Sequence, residues 1–184
     1  MPEISPPPWP AEPISYGPVV LRELSDLDVP MIHELSADPY VPLIAGIPPN
    51  ASQQQAQDWI DRQRGPHSEG TRLSFAIVEA GTGRAVGTIS LGLSALAHGR
   101  ASAGYSVVPS VRGRGIAAAA LTALTWFAWS IPALYRIELH IEPWNTASIR
   151  TAERSGYERE GLLHSHQEIG GLRRDMLLYA IIRP

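Results

Sequence analysis

The apolar positions of this chain change period along its length, and the changes mark its elements. Val19-Val20-Leu21-Arg22 reads as a first strand. Ser25-Asp26-Leu27-Asp28 then supplies short polar side chains suited to capping a helix that runs to about Ala37. A Pro- and Gly-rich loop spans 38 to 50, and Ser52 caps a second helix that ends near Gly65. Leu73 to Val78 and Ala85 to Leu91 are rich in β-branched residues and flank Ala80-Gly81-Thr82-Gly83, which predicts a hairpin. Ala101 to Val108 continues the meander until Pro109 stops it. Ile116 to Ile131 is dense in Ala and Leu and is closed by Pro132, the pattern of a buried helix. Tyr135 to Ile141 is a strand, and Asn145 to Ser155 a helix with Gly156 placed to end it. Leu162 to Ile169 and Leu172 to Ile182 flank Gly170-Gly171 as a last hairpin. The order β, α, α, β, β, β, α, β, α, β, β predicts an α/β (α+β) fold: a mixed seven-stranded sheet with helices on both faces.

Composition narrows the picture. The 184 residues and 44% hydrophobic content suit one core, so a single domain is expected over 19 to 184. It follows an extended arm, 1 to 18, whose prolines (Pro2, Pro6, Pro7, Pro8, Pro10, Pro13 and Pro18) remove the donors that helix or sheet pairing needs. The uncharged stretch between Arg114 and Arg136 is broken by Pro132 and diluted by Thr122, Thr125 and Ser130, which excludes it as a membrane span. No secretory signal opens the chain, so a cytoplasmic location is expected. Fifteen basic against eighteen acidic residues, net −3, leave no field to gather nucleic acid or anionic membrane. With no cysteine there is neither a disulfide framework nor a thiolate nucleophile.

The strongest chemical signal lies between a strand and the buried helix: Val107-Val108-Pro109-Ser110-Val111-Arg112-Gly113-Arg114-Gly115-Ile116-Ala117. A helix N-terminus presents unpaired N–H groups and partial positive charge, so an anion is bound there by backbone. Gly113 and Gly115 allow close approach, Ala117 keeps the first turn clear, and Arg112 and Arg114 add charge. The run fits neither the dinucleotide fingerprint, Gly-x-Gly-x-x-Gly opening a βαβ unit, nor the nucleotide P-loop with Gly-Lys-Ser/Thr.

As Arg112-x-x-Gly115-x-Ala117 after a Val-Val-Pro strand end, the loop resembles the acetyl-CoA pyrophosphate signature of the GNAT N-acetyltransferases. Asn145-x-x-Ser148, Ser155-Gly156-Tyr157, Glu160-Gly161 and Arg174-Asp175-Met176-Leu177-Leu178-Tyr179 resemble the ribosomal-protein N-terminal acetyltransferase branch. So do Leu21-Arg22-Glu23-Leu24 and Trp59-Ile60, and the match covers about 18 to 182.

The resemblance implies a sheet whose central strands, here 101 to 108 and 135 to 141, splay to admit the pantetheine arm. It implies cofactor contacts from Val107, Val108, Arg112, Gly113, Arg114, Gly115, Ile116, Ala117, Asn145 and Ser148, with backbone near Val107 and Val108 bonding the pantetheine amides and the thioester carbonyl. Asn145 is at the same time a natural N-cap. Ser148 matches the hydroxyl proposed in this branch to protonate the departing thiolate, since Ala152 stands where other members carry Tyr; a solvent-facing polar residue is its plain reading. Gln167 stands where some members carry a catalytic Glu, which leaves Glu142, His140 and Glu168 as candidate bases.

His164 and His166 share one strand face by the period-two rule, but no third ligand completes a metal site with His140, and no metal is expected. Asp175 is read as an anchor of the last hairpin, and Trp126, Phe127 and Trp129 as core aromatics. The implied activity is transfer of acetyl from acetyl-CoA to an amine by direct attack in a ternary complex. Loss of Glu at position 167 keeps open a CoA-binding module without catalysis. Arg112-Gly113-Arg114 and Arg173-Arg174 offer a weaker nucleic-acid reading. A protein or peptide N-terminal α-amine is the expected acceptor, with small-molecule amines as the alternative, and dimers are common in the branch.

Overall fold

The computed structural model describes residues 8–68 and 70–184, with the side chains of 66–68 outside the description. Eight strands form one sheet in the order β1-β2-β3-β4-β5-β6-β8-β7. They are β1 (Ile14–Tyr16), β2 (Val19–Glu23), β3 (Arg72–Glu79), β4 (Ala85–Gly92), β5 (Arg100–Val107), β6 (Arg136–Ile141), β7 (Glu158–Ile169) and β8 (Leu172–Ile182). The helices are α1 (Val29–Ser36), α2 (Val41–Ala45), α3 (Gln53–Ser68), α4 (Ile116–Ala128) and α5 (Thr146–Arg154). All pairings are antiparallel except β5 with β6, which run parallel.

The eighth strand comes from the Pro-rich arm, whose first seven residues lie outside the described ones. Ile14-Ser15-Tyr16 falls between Pro13 and Pro18, and these three residues pair with Leu21, Val20 and Val19 at the sheet edge. Proline density therefore limits pairing to a short edge strand without preventing it.

Caps define the helices. Ser52 accepts from the Gln55 N–H at 3.2 Å while its own N–H donates to Gln55 Oε1 at 2.9 Å, a reciprocal box that starts α3. The loop expected over 38 to 50 contains α2, because Asp38 Oδ1 accepts from the Tyr40 and Val41 N–H groups and Gly46 closes the turn at φ 63°. At the end of α4, Arg183 donates to the carbonyls of Trp129, Ile131 and Pro132, so the helix stops at Ala128 rather than running to Ile131.

α4 packs on one sheet face against β1, β2, β4 and β5, while α3 packs on β3 and α1 on β4 from the other. Leu121 and Leu124 of α4 are fully buried, each such residue contributing about 1.5–3 kcal/mol. Phe127 packs edge-on against Phe75, and Trp129 is partly buried under Arg183. Trp126, expected in the core, is 63% exposed and packs edge-on against Tyr16 of the edge strand.

β5 and β6 pair over only three residues, Arg100 with Arg136, Ala101 with Ile137 and Ser102 with Glu138. Beyond them β5 stays on β4 as far as Val107, and β6 stays on β8 as far as Ile141. A wedge opens in the middle of the sheet.

Gly87 sits at the mouth of this wedge, where a Cβ would lie 2.3 Å from the Ser106 carbonyl oxygen and 3.1 Å from Val107 Cα. Both are backbone, so a side chain there forces β4 and β5 apart. We predict that Gly87→Ala destabilises the fold by about 1–3 kcal/mol, the usual cost of overpacking, which urea denaturation will measure.

Candidate active site

The wedge turns backbone groups into open space. The Val108 N–H donates to the Val86 carbonyl. By antiparallel alternation this turns the N–H and C=O of Val107 away from β4 and toward the gap. The Val107 carbonyl is then taken by Arg112 Nε at 3.0 Å, which leaves its N–H facing the gap. Val108 was expected to contribute likewise, but its donor is spent on β4 and its side chain is buried.

The loop from Pro109 to Gly115 leads into α4. Gly113 and Gly115 both hold φ 79°, and nothing stands within 4 Å of a Cβ built on either. Such φ values suit glycine alone among common residues. Gly115 is the N-cap of α4, so the N–H groups of Ile116 and Ala117 have no acceptor within the helix. The arrangement suits a pyrophosphate.

Arg112 plays a different part from the one its charge suggests. Its guanidinium joins the Val107 carbonyl to Asp38, with Nη1 2.8 Å from Oδ2. Burial works to raise the Asp38 pKa, but the Val41 and Tyr40 N–H groups and Arg112 outweigh it and hold the carboxyl below its ordinary value. Glu34 grips the loop from α1, accepting from the Ser110 N–H and hydroxyl and from Arg84. Arg114 is exposed and donates to the Ser110 carbonyl at 3.4 Å.

A cavity of about 310 Å³ passes through the wedge and joins the two faces of the sheet. On the α5 side it is lined by Asn145, Ser148 and Tyr105. Asn145 caps α5 by accepting from the Ser148 N–H at 3.1 Å, so both of its readings, cap and cavity wall, hold at once. The Tyr105 hydroxyl donates to the Ser148 carbonyl at 3.3 Å, and burial pushes its pKa up. Ala152 is buried and contributes no group.

On the other side stand Glu142, Tyr40, His140 and Gln167. Glu142 is 3% exposed; it accepts a 2.6 Å hydrogen bond from Tyr40 and pairs with Arg174 Nε at 3.6 Å. Burial and then the Glu142 carboxylate push the Tyr40 phenol above its ordinary pKa, so Tyr40 remains a donor. His140 stacks on His166 at 4.8 Å; burial and then the neighbouring imidazole lower its pKa.

The structure does not bring Glu168 to this group. Gln167 and Ile169 line the cavity, and alternation along β7 turns Glu168 to the opposite, exposed face. His164 and His166 also part company. Leu163 faces Met176 while Gln167 faces Arg174, so three residues bulge opposite Asp175, with Ser165 at φ 50°. Asp175 secures the bulge by accepting from the Ser165 N–H at 2.8 Å and contacting His164 Nδ1 at 3.1 Å, which frees His166 to stack on His140. No group of three metal-ligating side chains occurs among the described residues.

Sequence reasoning missed Tyr40, Tyr105 and the Arg174 contact. Tyr40 had a signal, a lone aromatic in a Pro-rich loop after Asp38, but its partner lies 102 residues away.

Residues 19–158 match the model of the acetyltransferase (GNAT) domain. A curated relative, an uncharacterized N-acetyltransferase p20 of Bacillus licheniformis, is 27% identical over 90% of this chain and 93% of its own. Among solved structures, Mycobacterium smegmatis RimJ in complex with CoA-disulfide superposes with a TM-score of 0.79 at 29% identity, covering 93% of this chain and 86% of that one. RimL, a ribosomal L7/L12 α-N-protein acetyltransferase in complex with coenzyme A, superposes at 0.77 with 21% identity, covering 93% and 98%. The chain belongs to the GNAT acetyltransferase family. It is an N-acetyltransferase that uses acetyl-CoA and an amine acceptor.

Replacing Gly115 by Glu puts a carboxylate where the loop is shaped for an anion, on a backbone at φ 79°. We expect calorimetry to show loss of acetyl-CoA binding in folded Gly115→Glu, with a smaller loss in Gly115→Ala, which adds backbone strain without charge.

Proposed function

We propose that the acceptor is the N-terminal α-amine of a protein or peptide. The observation that carries this reading is the charge of the cavity. Among the described residues lining it, Glu142 is the single carboxylate and Arg72 the single guanidinium, while burial and His166 favour the neutral form of His140. One carboxylate suits one ammonium, whereas a polyamine needs several. The likeness to RimJ and to the α-N-protein acetyltransferase RimL supports the same class.

Acetyl-CoA supplies an acyl group activated as a thioester, and the chain's residues orient it and handle protons. The Val107 N–H faces the gap where the thioester carbonyl would lie, positioned to stabilise negative charge developing on its oxygen. Glu142, fixed by Tyr40 and Arg174, accepts a proton from the incoming ammonium, directly or through one water. An α-amine, with a pKa near ~8, is already partly neutral at pH 7, so a modest base suffices; an unperturbed lysine at ~10.4 is served poorly. On the leaving side Ser148 lines the cavity at the first turn of α5 and donates to the thiolate. The Tyr105 hydroxyl donates to the Ser148 carbonyl and so holds this turn of α5 against β5.

Two measurements test this reading. A peptide with a free N-terminus and no lysine is expected to be acetylated faster than one blocked at the N-terminus and carrying one lysine; the reverse order overturns the α-amine assignment. Glu142→Gln is expected to lower kcat by about 10²- to 10⁴-fold with acetyl-CoA affinity retained. His140→Gln should retain most of the rate, and a larger loss there than in Glu142→Gln transfers the role of base to His140.

A further inference from the structure

The floor of the cavity is one face of three strands. Cross-strand register sets Ser74 beside Ser90 and Gly104, Thr88 beside Ser106, and Arg72 beside Gly92 and Ser102. Small side chains keep this floor low, and their hydroxyls face the cavity. Ser106 lines the cavity beside the wedge at 7% exposure, so its side chain is reached from the cavity and from little else. Hydroxyls both donate and accept, so this row suits a ligand with hydrogen-bonding groups along the strip.

The strip runs in one direction from the reacting end. Ser106 lies at the wedge, beside the backbone of Val107, and its row crosses Thr88 to Ala76 of β3. Arg72 lines the same cavity four residues back along β3, about 13 Å away at ~3.3 Å per residue. Its guanidinium has no acidic partner among the described residues, and among them no other arginine lines the cavity.

We infer that Arg72 reads an acidic side chain on the acceptor, carried by the third or fourth residue of a peptide whose α-amine lies at Glu142. The inference rests on the α-amine reading above. An extended peptide advances about 3.3 Å per residue, so its second and third peptide groups pass over Ser90 and Ser106, and a carboxylate on residue three or four meets the guanidinium. The distance between amine and carboxylate is thus a length requirement that the floor of the sheet imposes.

The test is a set of hexapeptides with free N-termini that differ only in the position of one Glu, from residue two to residue six, against the same peptide with Gln. Steady-state rates are measured by thiol release for the wild type, Arg72→Gln and Arg72→Glu. The wild type is expected to favour Glu at residue three or four by about five- to tenfold in kcat/KM, mainly through KM. R72Q should erase the preference and R72E should invert it toward Lys at the same position, both with unchanged acetyl-CoA affinity by calorimetry. Equal rates for all wild-type peptides, or an acidic preference that survives in R72Q, overturn the role of Arg72 alone. If no peptide is acetylated while another amine is, the α-amine reading falls and this inference with it.

Discussion

Two parallel strands that pair for three residues and then diverge leave backbone amides and carbonyls facing each other across open space. Such groups are tolerated only where something else holds the strands apart and satisfies what is left. In this sheet β4 holds β5 through Val107, β8 holds β6 through Ile141, and Arg112 takes the Val107 carbonyl. The remaining donors are the feature that the site is built around. Had β5 and β6 stayed in register to their ends, the Val107 N–H would be spent and the cavity would be two separate dents.

A chain of polar contacts spans the two halves of this site. Arg112 of the loop before α4 binds Asp38, and Asp38 caps the short α2 and fixes the Tyr40 backbone. Tyr40 in turn donates to Glu142, which pairs with Arg174. Each link is part-buried, where charge-assisted hydrogen bonds are stronger than at an open surface. The residue that the sequence suggests as a phosphate ligand is thereby the one that ties the Gly-rich loop to Glu142.

Much of this was legible from residues alone. Seven strands, the N-cap role of Asn145 and the Gly-rich loop opening α4 follow from period, turn chemistry and capping, which act within a few residues. The edge strand 14–16 was hidden because its pattern is only three residues long among prolines. Trp126 was misplaced because a helix of mostly Ala and Leu, without a charged residue, carries little periodic signal to tell its exposed face from its buried one. The β7 bulge was invisible for a related reason: period two counts residues and cannot register three set against one. Tyr40 and Arg174 converge on Glu142 from distant segments, and no local rule relates them.

The cavity that pierces the sheet has a consequence for traffic. A sheet ordinarily acts as a wall between the helices on its two faces, but here the wall has a slot, with Ser148 and Tyr105 on one side and Glu142 and Tyr40 on the other. The thiol carrier and the amine need not share a doorway. Each can dock from its own side, meet in the slot and withdraw the way it came, so a spent carrier trapped in place does not by itself imprison the acetylated product.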